Sequence, residues 1–292
     1  MSKQILKILA LPDLHGREPY LLLKNKPEFD IIITPGDICL DNLRTSEEEV
    51  INKTKYYNLK KVSIQKGEEI LELLSSFKKP IYLVPGNWDP TEFRDGIKQE
   101  DLNTFDTIIT KYPLVHNCEY VRVDVKDTPI TIIGTGSTSA PEIISRTELL
   151  TRLKYEEDKD KIQELQERYL YQKRRFELVN EAFEGLHKQK SKHFTILLSH
   201  NSPYKTPLDI IKNPFSPLHN QHYGSVLSRA IIEKHQPKLV ISGHIHEGVG
   251  ICKIKDTVCL NTGFGSDIYH IITVDLNNNK VLSIKKFGKN TD

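Results

Sequence analysis

The sequence predicts a mixed α/β sandwich, in which helices cover the outer faces of β-sheets. Short apolar runs of strand length recur along the 292 residues; helical patterns alternate with them early in the chain, and strands dominate at its end. Uninterrupted apolar runs, such as residues 31–33 and 196–198, indicate strands that are buried on both faces. These observations favour a sandwich over a simple doubly wound sheet.

The individual elements follow from hydrophobic periodicity. Strands are predicted at 5–11, 30–34, 80–84, 120–125, 130–133, 194–199, 238–242, 257–261, 268–274 and 281–284. Helical patterns cover about 45–77, with a break expected near Gly67, and 225–235, where Ser225 has the side chain of an N-cap.

The composition excludes several classes of protein. With 41 Lys and Arg residues against 39 Asp and Glu, the formal net charge is +2, so a polyanion would have to be held by a local site. No apolar run approaches the roughly 20 residues that span a bilayer, and the N-terminal run has no signal-peptide cleavage site. The four scattered cysteines include no Cys-x-x-Cys pair, so a cytoplasmic protein without disulfides is expected, with no membrane partner.

The segment 141–192 is predicted to be a helical insertion, which leaves 1–140 and 193–292 as the main domain. It has no internal proline, and its apolar residues repeat at spacings of three and four, as on an amphipathic helix. This seam contains Ile162, Leu165, Tyr169, Gln172, Phe176, Val179, Phe183 and Leu186. It is expected to pack onto its own domain or onto a shorter helix around Leu149, Leu150 and Leu153; the alternative is a homodimer or partner surface.

Acidic, histidine and asparagine side chains follow five of the predicted strands. In chain order they are Asp13 with His15, Asp37, Asn87, His200, and His244 with His246. Strand ends in open α/β sheets diverge and leave a crevice, so these side chains are expected to converge on one site.

Each of these motifs also has an ordinary structural interpretation when taken alone. Residues 13–16 and 35–37 fit turns, Asn87 fits a left-handed backbone, and His200 fits a hydrogen-bonded core histidine. His244 and His246 are harder to explain in this way, because alternate residues of an extended segment point in the same direction. Two neighbouring imidazoles after a buried strand favour metal binding.

The order Asp-x-His, Gly-Asp, Gly-Asn, His and Gly-His-x-His resembles that of the calcineurin-like metallophosphoesterase superfamily. Residues 257–263 are similar to the family's final sandwich strand and its asparagine–glycine turn, and 222–225 and 243–247 resemble small single-domain phosphoesterases of archaea and bacteria. The resemblance covers the chain apart from 141–192. It implies a four-layer α/β/β/α sandwich, with two mixed sheets flanked by helices, and hydrolysis of phosphate esters.

The resemblance also implies a dinuclear metal site. The first divalent ion would be bound by Asp13, His15 and His246, the second by Asn87, His200 and His244, and Asp37 would bridge the two. Mixed oxygen and imidazole ligands suit manganese, the first expectation, or iron, zinc, nickel or cobalt. Such ions, about 4 Å apart, would acidify a bridging water, and the resulting hydroxide would attack phosphorus in line.

Two positions depart from the family pattern. Trp88 stands where many members have a histidine that protonates the leaving alkoxide, and an indole cannot act as that acid. Acidic or strained leaving groups, as in aryl or 2′,3′-cyclic phosphodiesters, are therefore expected, unless His219 or His222 supplies the proton. Trp88 would stack on a base or aryl group or form a pocket wall, and Asn87, Trp88 and His200 are the expected substrate contacts.

The second departure is Asp41, which follows Asp37 by four residues where the family often has an acid at three. Its carboxylate would either orient a ligand such as His15 or cap a helix.

Three alternatives to a phosphodiesterase stay open. A phosphomonoesterase or protein phosphatase would use the same metal site. A nuclease would need a cationic groove. Its candidates are Lys173, Arg174 and Arg175, the lysines at 188, 190 and 192, and Lys285 with Lys286. Each cluster is expected to lie on a solvated surface, where neighbouring acidic residues cancel most of its charge. A non-catalytic scaffold on the same fold is disfavoured, because all seven ligand positions hold suitable side chains.

Overall fold

Two six-stranded mixed sheets form the centre of the structure. The structure is a computed structural model, and it describes residues 4–41, 53–91, 104–137, 141–188 and 193–288. The strands of the first sheet are β1 (Ile5–Ala10), β2 (Ile31–Thr34), β3 (Ile81–Leu83), β4 (Val115–Asn117), β11 (Ile268–Asp275) and β12 (Lys280–Gly288). Those of the second are β5 (Arg122–Asp124), β6 (Ile130–Thr135), β7 (Phe194–Asn201), β8 (Leu239–Gly243), β9 (Gly250–Ile254) and β10 (Thr257–Asn261).

Both sheets contain a run of parallel strands, with antiparallel pairing at one edge of the first sheet and at both edges of the second. The first has the order β12-β11-β1-β2-β3-β4, in which β1 to β4 are parallel and β11 pairs antiparallel with both β1 and β12. The second has the order β5-β6-β7-β8-β10-β9, in which only the outermost pairs are antiparallel. The carboxyl ends of the parallel strands therefore gather at one edge of each sheet.

Helices cover the outer faces of the sheets. They are α1 (Tyr20–Asn25), α2 (Lys53–Ser75), α3 (Phe105–Ile109), α4 (Arg146–Leu153), α5 (Lys159–Lys188) and α6 (Val226–His235). Ser225 caps α6 as expected: its hydroxyl accepts a hydrogen bond from the Ser228 N–H at 3.0 Å. No helix in the described ranges has the length and apolar character needed to cross a bilayer.

Alternate strand residues belong to different hydrophobic cores, which confirms the four-layer arrangement. Ile8 lies in a central core that joins the two sheets, whereas its neighbour Leu9 packs into an outer core with residues of α1, α2 and α3. On the second sheet, Ile132 faces the central core and Ile133 faces α5 and α6. This alternation buries both faces of each sheet and produces the continuous apolar runs of the sequence.

The C-terminal half of α5 packs onto the second sheet. Val179, Phe183 and Leu186 are buried in the outer core with residues of β6, β7 and α6, as the seam predicts. Leu149 of α4 is buried, whereas Leu150 is 56% exposed and lies off the helix–helix contact. The domain boundaries at 140 and 193 stay a prediction.

The break expected near Gly67 was wrong. Residues 45–52 of the predicted helix lie outside the described residues, and from Lys53 to Ser75 the helix runs through Gly67 without interruption. A Cβ at Gly67 would lie 2.4 Å from the Cys39 Sγ, so this glycine permits close packing of the helix. The short elements β4, β9, α1 and α3 were not predicted, because three to six residues carry little periodicity.

One cationic cluster also differs from its expectation. Arg175 is 3% exposed rather than solvated, and it donates hydrogen bonds to the Tyr120 hydroxyl and the Gly136 carbonyl. Its neighbours Lys173 and Arg174 lie on the exposed face, each 3.8 Å from a carboxylate oxygen of Glu177. The buried guanidinium therefore anchors α5 to the second sheet.

Candidate metal centre

The predicted ligands come together where the carboxyl ends of the parallel strands meet. The loops after β1, β2 and β3 of the first sheet carry Asp13 with His15, Asp37 and Asn87. From the second sheet come His200 at the end of β7 and His244 and His246 after β8. Six of these seven side chains form two groups, in each of which the potential ligand atoms lie within 4.8 Å of one another.

The first group consists of Asp13, His15 and His246. The two imidazole Nε2 atoms are 3.2 Å apart, and the Nε2 of His246 is 3.6 Å from the Asp13 Oδ2. The residues come from opposite sheets, so this group spans the gap between them.

The second group consists of Asp37, His200 and His244. The Oδ1 of Asn87 lies 2.7 Å from the His200 Nε2, which adds an amide oxygen to the group. The Nδ1 of His200 lies 2.9 Å from the carbonyl oxygen of Pro35, so a donated N–H fixes the tautomer and leaves Nε2 available as a ligand.

The Asp37 carboxylate lies between the two groups. Its Oδ2 is 3.5 Å from the Nε2 of both His15 and His200, one histidine from each group. Its Oδ1 accepts the Trp88 backbone N–H at 2.7 Å, which fixes the orientation of the carboxylate. This is the position that a bridging ligand needs.

Three of the candidate ligands have a left-handed backbone. The φ angles of His15, Asp37 and His244 are 46°, 50° and 64°. Left-handed conformations of residues other than glycine cost roughly 1–2 kcal/mol each and cluster at functional sites. The loops therefore hold these side chains in position at the expense of stability.

The turn at His244 corrects the extended segment expected for residues 243–246. The Ile245 N–H donates to the Gly243 carbonyl at 2.8 Å, and a short 3₁₀ helix starts at His246. As a result the two histidines do not share one direction, and they belong to different groups.

Glycines make room for both carboxylates. A Cβ at Gly86 would lie 2.0 Å from the Asp37 Oδ1, and one at Gly243 would lie 2.1 Å from the Asp13 Oδ1. Any larger residue would displace a candidate ligand.

The chemistry of these groups fits divalent transition metals. Ligand atoms around one such ion, at about 2.0–2.2 Å from it, lie up to roughly 4.4 Å apart, a spacing comparable with that in each group. The Asp13 Oδ1 and the His15 Nδ1 are buried without a hydrogen-bond partner among the described residues. Burial lowers the pKa of His15 to about 4, against the opposing effect of Asp13, so its imidazole is neutral and able to bind metal at pH 7.

The family assignment rests on nearly the whole chain. Residues 6–248 match the family model described as calcineurin-like phosphoesterase. The chain is a calcineurin-like phosphoesterase. It is accordingly a metal-dependent hydrolase of phosphate esters, and the two ligand groups are its candidate dinuclear metal site.

Several known proteins are similar to this chain in sequence or in fold. The uncharacterized protein MJ1162 of Methanocaldococcus jannaschii is 25% identical over 260 residues, which cover 88% of this chain and 87% of that protein. The crystal structure of TT1561 of Thermus thermophilus matches with a TM-score of 0.52 and 17% identity, covering 97% of this chain and 99% of that one. Another crystal structure matches with a TM-score of 0.60 and 18% identity, covering 97% and 100% of the two chains. These structural matches show a shared fold.

In this phosphoesterase, Asp41 lies beside the first group. Its Oδ2 is 3.6 Å from the His15 Nδ1, the ring nitrogen that faces away from His246. This contact favours the orienting role over the helix cap.

The candidate proton donors lie in the loop between β7 and α6. The Nδ1 of His222 is 2.7 Å from the Asp209 Oδ1, and the exposed His219 has its Nδ1 3.1 Å from the Asn213 carbonyl oxygen. Asp209 also accepts the backbone N–H groups of Lys205, Thr206 and Gly224. His222 is therefore held by a fixed carboxylate, whereas His219 is held by a backbone carbonyl on the surface.

Phe264 was not anticipated from the sequence. Its ring stacks on His246 with 4.3 Å between centroids and 13° between planes, and the Arg17 guanidinium carbon lies 4.7 Å from its centroid. Asp13 and Phe264 form an isolated β-bridge, which joins the loop after β1 to the loop after β10. The sequence signal was a phenylalanine directly after the asparagine–glycine turn. Its contact with His246 could not be predicted from this position, because it depends on the pairing of strands that are distant in sequence.

Asp89 has a structural role that the sequence also did not reveal. Its buried carboxylate accepts the Gly86 and Cys39 backbone N–H groups, both at 2.8 Å. It thereby ties the loop that carries Asn87 to the loop that carries Asp37.

Proposed function

We propose that this phosphoesterase is a phosphodiesterase that uses two divalent metal ions, with manganese as the first candidate. The observation that carries the proposal is the position of the Asp37 Oδ2, 3.5 Å from a histidine of each ligand group. A carboxylate shared in this way suits a two-metal site.

The residues of the chain would have separate roles in binding metal and substrate. Asp13, His15 and His246 would hold one ion, and Asn87, His200 and His244 the other, with Asp37 between them. The chemistry supplied by two bound ions is Lewis acidity, which activates water and neutralises charge on the phosphoryl group. Asn87, His200 and Trp88 line the second group and would contact the substrate there.

The preference for diesters rests on Trp88. Its backbone N–H is committed to Asp37, and its indole N–H cannot titrate near neutral pH. General acid catalysis typically contributes about 10²–10⁴-fold, so a site without an acid selects leaving groups that depart unprotonated. Aryl phosphodiesters meet this requirement through an acidic leaving group, and 2′,3′-cyclic phosphodiesters compensate for a poorer one through release of ring strain.

His222 is the second candidate for proton transfer. Its Nδ1 lies 2.7 Å from the Asp209 Oδ1, so its Nε2 would be the nitrogen that faces a leaving group. This arrangement supports a role for His222 over His219, whose ring is exposed on the surface. With His222 as acid, monoesters and poorer leaving groups would become substrates.

A series of substrates with different leaving groups distinguishes a site without a general acid from a site in which His222 is the acid. Hydrolysis of bis-p-nitrophenyl phosphate, diphenyl phosphate and p-nitrophenyl phosphate is measured with manganese for the wild type, Asp37→Ala, Trp88→His and Trp88→Phe. We expect the wild type to hydrolyse the nitrophenyl diester far faster than diphenyl phosphate, and Asp37→Ala to abolish turnover. Trp88→His should raise diphenyl phosphate hydrolysis at least tenfold, and Trp88→Phe should not.

Other results would contradict the proposal in distinct ways. Equal rates on both diesters in the wild type, lost in His222→Gln, would identify His222 as the acid. Normal turnover by Asp37→Ala would contradict the two-metal site. A protein that binds manganese but hydrolyses none of the three esters would favour the scaffold alternative.

Three further expectations concern the location of the protein, its oligomeric state and its binding to nucleic acid. None of the four cysteines forms a disulfide, which supports a reducing, cytoplasmic location. A homodimer through 141–192 would use the N-terminal half of the α4–α5 region, where Tyr155 and Leu170 are 80% and 63% exposed. The near-neutral net charge does not support a nuclease.

A further inference from the structure

A cleft of about 760 Å³ opens beside the first ligand group. His246 and Phe264 form its wall next to the candidate metal site, and Val249 and Ile268 add apolar surface. Such a cleft is large enough for a drug-sized or nucleotide-sized group. Because His246 belongs both to the ligand group and to the cleft wall, a substrate bound at the metal site could extend directly into the cleft.

The charged residues of the cleft are Arg17, Lys212, Glu247 and Asp267. The Glu247 carboxylate accepts the backbone N–H groups of Lys212 and Asn213 at 3.2 and 3.3 Å, so its charge is partly compensated. Arg17 is exposed, and no carboxylate among the described residues forms an ion pair with it. Its guanidinium therefore has N–H donors available for an anion.

The position of Arg17 is defined by its contacts. The guanidinium carbon lies over the Phe264 ring, and one of its N–H groups approaches the His15 carbonyl oxygen at 3.5 Å. Phe264 in turn stacks on His246. Phe264 thus lies between the Arg17 cation in the cleft lining and His246 of the first ligand group.

We propose that this cleft is a specificity subsite for phosphodiesters that carry a second phosphate group, and that Arg17 binds this second phosphate. This proposal rests on the proposed phosphodiesterase function and adds a substrate class to it. The planar guanidinium matches a phosphate in a bidentate fashion, which a lysine cannot do. The Phe264 ring already contacts Arg17 and His246, so charge rather than base stacking would be the recognised feature.

A matched pair of chromogenic substrates tests the subsite. Thymidine 5′-(p-nitrophenyl phosphate) and the same compound with a 3′-phosphate differ only in the second anion. We expect the wild type to show a higher kcat/KM for the 3′-phosphorylated compound, mainly through KM. Arg17→Gln should lower this preference by about 10- to 100-fold, as expected for a charge-assisted contact. Arg17→Lys should recover only part of it.

Arg146→Gln is the matched control, because it removes the same charge from the exposed start of α4. Inhibition constants of thymidine 3′,5′-bisphosphate and thymidine 5′-phosphate give a second readout, and only the first should weaken in Arg17→Gln.

The failure of this proposal is distinguishable from failure of the phosphodiesterase function. Equal wild-type kcat/KM for the two substrates would overturn the subsite while leaving the hydrolase intact. An equal loss on both substrates in Arg17→Gln would also overturn it, since Arg17 would then act on the metal site itself. Hydrolysis of neither substrate by metal-loaded wild type would instead overturn the phosphodiesterase function.

Discussion

At the scale of single residues, the candidate site depends on glycines as much as on its ligands, because a glycine leaves space for a neighbouring side chain. Gly86 and Gly243 leave room for the carboxylates of Asp37 and Asp13, whose nearest oxygens lie 2.0 and 2.1 Å from where a Cβ would be. The hydrogen bond from the Trp88 N–H then fixes Asp37. Small residues therefore determine ligand geometry here.

Gly86→Ala is expected to lower kcat for bis-p-nitrophenyl phosphate by about 100-fold or more, because the new methyl group would displace Asp37. Gly185→Ala is the control: Gly185 lies in α5 with open space around its Cβ position. That variant should retain activity and gain about 0.5–1 kcal/mol in free energy of unfolding. Retained activity in Gly86→Ala would contradict the assigned position of Asp37.

Asp41→Asn is expected to weaken manganese binding by about 10- to 100-fold, since the Asp41 carboxylate faces the His15 Nδ1 at 3.6 Å. Isothermal titration of the metal-free protein measures this directly, with Asp256→Asn at the exposed β9–β10 turn as the control. Unchanged affinity together with a lower free energy of unfolding would assign Asp41 to the helix-capping role instead.

At the scale of elements, α5 is held by one buried cation. The Arg175 guanidinium reaches the Tyr120 hydroxyl and the Gly136 carbonyl. Burial raises the pKa of the nearby Glu119, and the charge of Arg175 opposes this rise. Gly136 follows β6 and packs against the Pro85 carbonyl, one residue before Gly86. The Ser137 backbone N–H also donates to the Pro85 carbonyl at 2.7 Å, so α5 is connected through Arg175 and residues 136–137 to the loop that carries Asn87.

Arg175→Met should reduce the free energy of unfolding by about 3–5 kcal/mol, because it leaves Glu119 and the polar partners of the guanidinium buried without their cation. The adjacent Arg174→Met removes exposed pairs with Glu177 and Glu181 and should change stability by less than about 1 kcal/mol. Urea denaturation of both variants measures the difference. Similar stabilities would mean that water replaces the buried guanidinium.

The sequence predicted elements well where periodicity was long and poorly where it was short. The continuous strands β1, β2, β7 and β8 and the seam of α5 were predicted because burial on two faces or on one helix face leaves a clear pattern. The break at Gly67 was wrong because the pattern cannot distinguish a helix-breaking glycine from one that packs against Cys39. The turn at His244 was missed because a single left-handed residue leaves no periodic signal.

At the scale of the whole molecule, buried histidines make stability depend on pH. Burial lowers the pKa values of His15, His235 and His270 to about 4. In the metal-free protein these imidazoles stay neutral on acidification, whereas the unfolded chain takes up protons below about pH 6.5. The unfolded state then binds more protons, so stability is full above about pH 6.5 and is lost as the pH falls toward 4.

The free energy of unfolding of the metal-free protein should therefore fall by up to about 1.4 kcal/mol per pH unit for each such histidine across this window. Urea midpoints at pH 7, 6 and 5 provide the test. His270→Gln should make the dependence shallower, because it removes one of these groups from the interior of β11, whereas exposed His219→Gln should not. A dependence that is identical in His270→Gln and wild type would contradict the assigned cause.

The candidate metal site was easier to predict than its surroundings. Its seven residues carry distinctive chemistry directly after strands, so the order of motifs alone suggested their convergence. Arg17, Phe264 and Asp89 were not assigned roles because arginine, phenylalanine and aspartate are common in loops. Their functions depend on which loops meet, and strand pairing between distant segments such as β1 and β11 decides this.

The pairing of β1 with β11 also governs when the site can form during synthesis. All seven candidate ligands precede residue 247, yet the loop that holds Asp13 is joined by backbone hydrogen bonds to Gly263 and Gly265 and lies beside β11. A chain still on the ribosome that has been made only to residue 250 would contain every ligand without the strand that aligns the first loop. Metal uptake during biosynthesis should therefore wait until β11 has emerged.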